Sequence, residues 1–332
     1  MKNISIIGAG AWGTALSLLL SDNGYSVTVC SSSAEKAERL EKTHISPEFP
    51  DISLPSAIHF TDSLERAAEG EAVLLASASI YTRKMARSLR PYLKYGALVI
   101  CCAKGIEEST LKMQTQQTEE ELPDALVTCL SGPSHAEEVI RRLPTTCVAG
   151  AHDMGTARRV QEIFMSPVFR VYTSTDLIGI ELGGAVKNVI ALAAGAADGL
   201  GYGDNAKAAL ITRGIAEITR LGTAMGASAS TISGLTGTGD LIVTCASMHS
   251  RNRRAGILIG EGVPVTEAMK EVGQVVEGVY SARAALKLAE KYHVCMPIVE
   301  EVNHVLFEGK DPKRAVRDLM MRDPKAETEE NA

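Results

Sequence analysis

The stretch Ile4-Ser5-Ile6-Ile7-Gly8-Ala9-Gly10-Ala11-Trp12-Gly13-Thr14-Ala15 decides the fold of this chain. Its apolar start predicts a buried strand, and the Ala- and Leu-rich residues up to Leu20 predict a helix. Between them, Gly8 permits a tight turn, Gly10 lets the backbone approach a pyrophosphate, and Gly13 lets the helix pack closely on the strand. The helix N-terminus favours an anion because its N–H groups are free. The stretch therefore predicts a dinucleotide site that includes Ala11 and Trp12, rather than a plain structural turn.

Length and composition restrict the function classes. The chain has 332 residues, so we expect two domains, and its 45% hydrophobic and 22% charged residues are typical of a soluble globular protein. A net charge of −6 argues against nucleic acid as a partner but still permits a small phosphorylated ligand. No secretory leader is visible, and the apolar run 189–197 is too short to span a bilayer. We expect a cytoplasmic protein with no stable membrane insertion.

The cysteines predict neither disulfides nor a metal site. Seven is an odd number, most of them lie in apolar strand-like runs, and no Cys/His spacing suits zinc. They are interpreted as reduced core residues in a cytoplasmic protein.

Strand-like and helix-like segments alternate in the first half of the chain. This alternation predicts an α/β fold with a Rossmann-type, doubly wound, mostly parallel sheet and helices on both faces. Strands are predicted at 3–7, 26–30, 72–77, 96–102, 125–130, 145–150 and 168–173, and helices at 33–42, 80–90 and 109–121.

From residue 176 onward the pattern is helical, with later helices at 264–272, 278–292, 297–308 and 312–321. We therefore expect a dinucleotide-binding domain over 1–175, an all-helical substrate-binding domain over 176–325 and a disordered acidic tail over 326–332.

Two segments follow strands at the edge where such sheets bind ligands. Lys104 follows the strand that ends at Cys102, and it is either a ligand-binding residue or a solvated loop lysine. Residues 130–138, Leu-Ser-Gly-Pro-Ser-His-Ala-Glu-Glu, follow the next strand and contain a Gly-Pro turn. Ser131 or Ser134 could cap the helix that follows, and His135 is either a catalytic acid or a helix-terminal residue.

Lys187 and Asn188 interrupt an apolar helix of small residues. A buried lysine is costly unless it is paired or used, because desolvation disfavours the ammonium and lowers its pKa. A lowered pKa suits a group that gives and takes a proton, although the lysine could instead reach solvent. We favour the functional interpretation because the small neighbours permit close approach of a ligand.

A third cluster lies further along the helical half. Asp240 follows two glycines and opens an apolar run, where it could be a simple helix N-cap. Arg251 and Asn252 offer a planar cationic fork and an amide, which together suit a phosphate, although charge runs are commonly solvated faces.

Taken together, these segments resemble the bacterial-type NAD(P)-dependent glycerol-3-phosphate dehydrogenases along almost the whole chain. The matching segments are Gly8–Ala15, Lys104–Glu107, Leu130–Glu138, Gly183–Asn188, Asp198–Lys207, Gly234–Asp240, His249–Asn252 and Val276–Gly278. The resemblance implies reduction of dihydroxyacetone phosphate to sn-glycerol 3-phosphate, a phospholipid precursor, with hydride from a nicotinamide. It also suggests a homodimer.

The resemblance implies a role for each matching residue. Lys187 resembles the proton donor and acceptor, with Lys104 and Asp240 lining the same centre. The residues implied for the substrate are Lys104, Gly132, Ser134, Lys187, Asn188, Asp240, Ser250, Arg251 and Asn252, and those implied for the cofactor, besides the glycine motif, are Lys104, Ala136, Arg251, Val275 and Glu277.

The residues after the second strand depart from the family pattern and bear on the choice of cofactor. Family members commonly carry an aromatic residue followed shortly by a basic one there, whereas this chain has Cys30-Ser-Ser-Ser33. It also lacks an acidic residue at the strand end, which would bind the ribose 2′-hydroxyl of NAD. Ser32 and Ser33, with Lys36 nearby, could hold the 2′-phosphate of NADP, although Ser32 and Glu35 could equally form a capping box. The sequence favours NADPH, with NADH tolerated.

Two other departures concern the nicotinamide pocket. Residues 76–79, Ala-Ser-Ala-Ser, lack a proline expected after the fourth strand, and Ala103 replaces an expected serine.

Two alternatives stay open at this point. A related two-domain dehydrogenase acting on a keto or hydroxy acid would share the first motif but should lack the 130–138 and 249–252 segments. A nucleotide-sensing protein without catalysis would be favoured by loss of Lys187 or Asp240, and both residues are present.

Overall fold

The computed structural model describes residues 2–324, 326 and 327, so most of the predicted acidic tail lies outside the described residues. The first half of the chain forms an eight-stranded sheet in the order β3-β2-β1-β4-β5-β6-β7-β8. Pairings from β3 to β6 are parallel, whereas β7 runs antiparallel to β6 and parallel to β8. The predicted, mostly parallel Rossmann-type sheet is confirmed. The strands are β1 Asn3–Ile7, β2 Ser26–Cys30, β3 Ile58–Thr61, β4 Ala72–Leu75, β5 Leu98–Cys101, β6 Leu126–Ser131, β7 Thr145–Ala151 and β8 Phe169–Ser174.

Strand β3 was not predicted from the sequence, and one predicted helix begins later in the structure. In β3 an exposed histidine separates two buried apolar residues, so β3 lacks the continuous apolar run that made the equally short β4 and β5 recognisable. The helix predicted over 109–121 begins at Gln114, because Ile106 and Met113 form a β-bridge and Leu111 has a φ of 60° between them.

Seven helices accompany the sheet and nine follow it within the described residues. The first group is α1 Ala11–Asp22, α2 Ala34–Thr43, α3 Leu64–Ala67, α4 Thr82–Leu89, α5 Gln114–Glu121, α6 Ala136–Val139 and α7 Met154–Phe164. The second group is α8 Leu177–Gly199, α9 Asp204–Ala224, α10 Ala229–Ile232, α11 Asp240–Ala246, α12 Arg251–Gly260, α13 Val265–Val272, α14 Glu277–Lys291, α15 Pro297–Phe307 and α16 Pro312–Met320. The helical second half is therefore confirmed.

Capping explains where several helices begin. The Asp176 carboxylate accepts the Gly179 N–H at 2.9 Å and starts α8, and Ser33 accepts the Lys36 N–H at 3.2 Å and starts α2. The capping position of α2 is thus Ser33, and the predicted capping box on Ser32 is wrong by one residue. Neither Ser131 nor Ser134 caps α6, which begins after His135.

Helix α8 is the central element of the helical half. It is long and apolar enough to cross a membrane by length and composition, but 89% of its most apolar stretch is buried inside the protein. It is a core helix, surrounded by α9, α11, α12 and α14. Lys187 and Asn188 occupy its middle, so the core of this half fixes the position of both side chains.

Helices α8 and α12 cross in direct backbone contact. A Cβ placed on Gly195 of α8 would lie 2.1 Å from the carbonyl oxygen of Arg253, and one on Gly256 of α12 would lie 2.2 Å from that of Leu192. Such approach is possible only where a side chain is absent. The glycines therefore set the distance between the helix that carries Lys187 and the helix that begins at Arg251.

The predicted core location holds for six of the seven cysteines and is wrong for Cys295. All seven are free thiols, and Cys295 alone among them is exposed. Burial raises the pKa of Cys30 to about 11, which keeps that thiol protonated and unreactive at neutral pH. No group of three metal-ligating side chains occurs among the residues that the structure describes.

Candidate active site

The glycine turn after β1 has the geometry that a dinucleotide requires. Gly8 has a φ of +124°, and a Cβ on Gly13 would lie 1.9 Å from the Gly8 carbonyl oxygen, so both positions require glycine. A Cβ on Gly10 would meet nothing within 4 Å, because this residue faces open space. No side chain caps α1, which leaves its first N–H groups for an anion. The turn therefore fits a pyrophosphate.

A cleft of about 1000 Å³ runs from this turn to the helical half. It lies beyond the carboxyl ends of β1 and β4, where the strand order reverses, which is the usual ligand position in such sheets. Its walls come from the segments after each strand from β1 to β6 and from α4, α8, α11, α12 and the start of α14. The nucleotide turn and Lys187 therefore line the same cleft.

Three charged side chains meet at the helical end of the cleft. Lys187 Nζ lies 2.5 Å from Asp240 Oδ1, and Lys104 Nζ lies 2.8 Å from Asp240 Oδ2. Lys187 also donates to Thr244 Oγ1 at 2.6 Å, and Lys104 donates to the Gly132 carbonyl oxygen at 2.7 Å. One carboxylate thus holds two ammonium groups, one from each half of the chain.

Burial controls the protonation of this cluster. It lowers the pKa of Lys187 to about 8; Asp240 opposes this shift, and Lys104 adds to it. Burial alone would raise the pKa of Asp240, but Lys104 and Lys187 outweigh it and hold that pKa below its ordinary value. At neutral pH, Asp240 is ionised and Lys187 is an ammonium close to its titration point. A group so placed can both donate and accept a proton.

The first turn of α12 lies beside this cluster. The Ser250 hydroxyl caps the helix by accepting the Arg253 N–H at 3.2 Å, and Arg251 lines the cleft. Asn252 donates to Asn188 Oδ1 at 2.9 Å and accepts the Gly278 N–H at 2.8 Å. The Asn252 amide therefore ties α12 to both α8 and α14.

Glu277 connects the two halves at the other side of the cleft. Its carboxylate accepts the Ser79 N–H at 3.0 Å and the Ser79 hydroxyl. Burial raises its pKa, although the Ser79 hydrogen bonds and Arg251 act in the opposite direction. Ala78, beside this contact, has a φ of −59°, so the backbone of the 76–79 segment would accept a proline at that position.

His135 and His249 face each other across the cleft, with ring centroids 5.9 Å apart. Burial, followed by Lys187 and Lys104, lowers the pKa of His135 to about 4, so its imidazole is neutral at pH 7. Its Nε2 atom is buried and has no hydrogen-bond partner among the described residues. A neutral imidazole does not add a positive charge beside the two lysines.

The structure brings most of the predicted site residues to the one cleft. These are Gly8, Gly10, Ala11, Trp12, Ser32, Lys104, Ser134, Ala136, Lys187, Asn188, Asp240, Ser250, Arg251, Asn252, Val275 and Glu277.

Three predicted site residues do not line the cleft, each for a visible reason. Gly13 packs under the turn against Gly8, and the Ser33 hydroxyl is used as the cap of α2. Gly132 presents its carbonyl oxygen to Lys104 instead of to the cleft. Its φ of +145° explains why a glycine stands there.

Some residues that line the cleft were not predicted from the sequence. Thr244, which holds Lys187, lies one helical turn after Asp240 on α11, and that spacing could have indicated it. Asp62 follows β3 at the ligand edge, but β3 itself was missed. Glu48 lies in a loop without any motif, so nothing in the sequence indicated that it lines the cleft.

Comparison with known proteins agrees with this geometry. The family model described as the NAD-dependent glycerol-3-phosphate dehydrogenase N-terminus matches residues 3–157, and the model for the C-terminus of the same family matches residues 176–317. The chain belongs to this family. It is an oxidoreductase with an NAD(H) or NADP(H) cofactor.

Full-length relatives support this assignment. The chain is 58% identical to glycerol-3-phosphate dehydrogenase [NAD(P)+] of Agathobacter rectalis over 98% of each chain, and 55% identical to that of Fusobacterium nucleatum over 98% of this chain and 99% of the relative. The crystal structure of glycerol-3-phosphate dehydrogenase from Coxiella burnetii superposes with a TM-score of 0.92 at 34% identity, covering 97% of this chain and 99% of the other. The keto-acid dehydrogenase and the non-catalytic alternatives are therefore set aside.

Proposed function

We propose that the cleft reversibly reduces dihydroxyacetone phosphate to sn-glycerol 3-phosphate, and that the product feeds glycerophospholipid synthesis. The observation that carries the mechanism is the Lys187–Asp240–Lys104 cluster, which places a proton donor of lowered pKa in the same cleft as the glycine turn. Residues 1–175 would serve as the nucleotide-binding domain and residues 176–325 as the substrate-binding domain.

Lys187 is the proposed proton donor for the carbonyl oxygen of the substrate. When bound, the reduced nicotinamide supplies a hydride to the C2 carbonyl carbon. The Lys187 ammonium then donates a proton to the alkoxide that develops on the C2 oxygen, and in the reverse direction the neutral amine accepts it. Asp240 and Thr244 hold the Lys187 nitrogen, so the donor is oriented before reaction.

Lys104 contributes positive charge at the same centre. Its ammonium is fixed by Asp240 and by the Gly132 carbonyl oxygen, and it stabilises the developing alkoxide electrostatically. It also disfavours the charged form of Lys187 and so helps to bring the Lys187 pKa near neutrality. The proposal thus gives Lys104 two roles, one toward the substrate and one toward Lys187.

The first turn of α12 is the proposed phosphate site. Arg251 would donate from its guanidinium to the phosphate oxygens, and the Ser250 end of a ten-residue helix favours an anion. Ser134 would bind from the opposite wall. Because Asn252 bonds to Asn188, the phosphate site is held at a fixed distance from Lys187.

Other features of the proposal rest on the family resemblance. The protein would act in the cytoplasm as a homodimer. Its ligand would be a small phosphorylated triose, and it would neither bind nucleic acid nor insert into a membrane. Oligomeric state is measurable by light scattering.

The direct test is oxidation of NADH and of NADPH by the purified protein in the presence of dihydroxyacetone phosphate. We expect turnover that depends on the triose phosphate, with sn-glycerol 3-phosphate as product. Dihydroxyacetone without phosphate is the matched control, and it should react far more slowly because the α12 site has no phosphate to bind. Absence of turnover with both cofactors would refute the proposed reaction.

The lowered pKa of Lys187 predicts opposite pH profiles in the two directions. Reduction needs the ammonium, so its kcat/KM should fall about tenfold per pH unit above a pKa of about 8. Oxidation needs the neutral amine, so its kcat/KM should rise through the same region and level off above it. Initial rates in both directions check this, and slopes of equal sign would contradict the role of Lys187.

A further inference from the structure

The end of the cleft beside β2 and β3 contains an unusual set of charges for a nucleotide site. Ser32, Lys36, Glu48 and Asp62 all line it. The segments that follow β2 and β3 therefore contribute one cation and two carboxylates to the cleft, in the region where Rossmann-type sheets bind the ribose of the adenosine half.

Lys36 is already paired. Its Nζ atom lies 2.9 Å from Glu48 Oε1, and the second Glu48 oxygen accepts the Ser46 hydroxyl. Burial raises the pKa of Glu48, but the hydrogen bonds from Ser46 and Lys36 outweigh it and bring that pKa below its ordinary value. Glu48 is therefore ionised at neutral pH and neutralises the lysine that the sequence analysis counted as available.

The serine hydroxyls add little for an anion. Ser33 caps α2, and the Ser31 hydroxyl accepts the Ser33 N–H at 3.3 Å. Ser32 is exposed, and its hydroxyl makes no hydrogen bond within the described part of the chain. Among the side chains between β2 and β3, Ser32 and a lysine already bound to a carboxylate are therefore the groups that could hold a 2′-phosphate, and Lys84 of α4 is a further cation that lines the cleft.

We propose that Glu48 determines the relative affinity for phosphorylated and unphosphorylated adenosine riboses by holding Lys36 in the Lys36–Glu48 pair. A ribose with a free 2′-hydroxyl leaves the pair intact. A 2′-phosphate must take Lys36 away from Glu48 and lie beside a carboxylate, which lowers its affinity. The inference rests on the proposed function, in which this end of the cleft holds the adenosine half of the cofactor.

The test measures binding without hydride chemistry. Adenosine 2′,5′-bisphosphate and adenosine 5′-monophosphate, which differ only by the 2′-phosphate, are titrated into the full-length protein by calorimetry. Glu48→Gln removes the charge at nearly constant size and frees Lys36. We expect it to tighten binding of the bisphosphate about tenfold, because a charge-assisted hydrogen bond becomes available, with less than about a twofold change for the monophosphate.

Three further variants separate the pair from a general field effect. Asp62→Asn removes a carboxylate from the same end of the cleft that does not bond to Lys36, so the ratio of affinities should stay near that of the wild type. Lys36→Met combined with Glu48→Gln should lose the gain of Glu48→Gln. Glu48→Ala should reproduce the gain and replaces Glu48→Gln if that variant does not fold.

Each outcome is decisive. An unchanged ratio in Glu48→Gln, an equal gain in Asp62→Asn, or a gain that survives loss of Lys36 would overturn the role of Glu48 while leaving the proposed function intact. Failure of both nucleotides to bind the wild-type protein would overturn the dinucleotide site of the proposed function, and this inference with it.

Discussion

Replacing Lys187 by alanine is expected to lower kcat for reduction about 10³-fold, because the developing alkoxide then lacks its proton donor. Affinity for the nicotinamide cofactor should change little. Asp240 keeps Lys104 as its partner at 2.8 Å in the variant, so no unpaired charge is left in the core. The loss should therefore appear in turnover and not in folding, as measured by initial rates, cofactor fluorescence titration and thermal unfolding.

Lys187→Arg separates charge from proton transfer. The guanidinium keeps the positive charge but does not deprotonate in proteins, so it cannot act as the base in glycerol 3-phosphate oxidation. We expect the arginine variant to fail in oxidation and to lose the pH dependence near 8. The exposed Lys287, which pairs with Glu108, provides the control: Lys287→Ala should retain wild-type rates.

A Lys187→Ala variant within tenfold of the wild-type kcat would show that another group supplies the proton. Lys104 would then be the next candidate, since its nitrogen lies on the same carboxylate. A Lys104→Met variant would distinguish the two lysines, because it removes one ammonium and leaves the Lys187–Asp240 pair in place.

The fold was predictable from the sequence wherever local pattern and tertiary structure agree. The β1–Gly8–α1 unit combines a buried apolar run, a glycine turn and an Ala/Leu helix, each of which has its own local signature. β3 lacks such a signature because a histidine interrupts its apolar residues, and its place in the sheet follows from pairing with β2. The antiparallel orientation of β7 is likewise a property of the whole sheet.

The sequence indicated which residues belong to the candidate site, but it did not indicate which of them contact each other. Lys187 was recognisable because an ammonium in an apolar helix of small residues needs a use or a partner. That its partner is Asp240, 53 positions away, follows from the packing of α11 on α8. The Lys36–Glu48 pair could not be predicted from the sequence. Glu48 lies in a loop outside any motif, and the fold alone brings it to Lys36.

Close packing of α8 on α12 gives the second large expected effect. Gly195→Ala should lower the free energy of unfolding by about 2 to 3 kcal/mol, because a Cβ there would lie 2.1 Å from the Arg253 carbonyl oxygen and the two helices must separate. Intrinsic helix propensity predicts the opposite sign, since alanine is favoured over glycine by about 1 kcal/mol within a helix. A measured loss therefore reports the contact and not the propensity. Denaturant unfolding provides the value.

The same substitution should also impair catalysis, although Gly195 does not line the cleft. Separation of the helices stretches the Asn252–Asn188 hydrogen bond and moves the first turn of α12 away from Lys187. A displacement of about 1 Å can cost about 10²-fold in rate, so we expect kcat/KM for the triose phosphate to fall more than cofactor affinity. Gly203→Ala is the matched control, since a Cβ at Gly203 would meet nothing within 4 Å. If both variants behave like the wild type, the α8–α12 contact is more adaptable than its backbone distances indicate, and the phosphate site must be positioned by the Asn252–Gly278 bond to α14 instead.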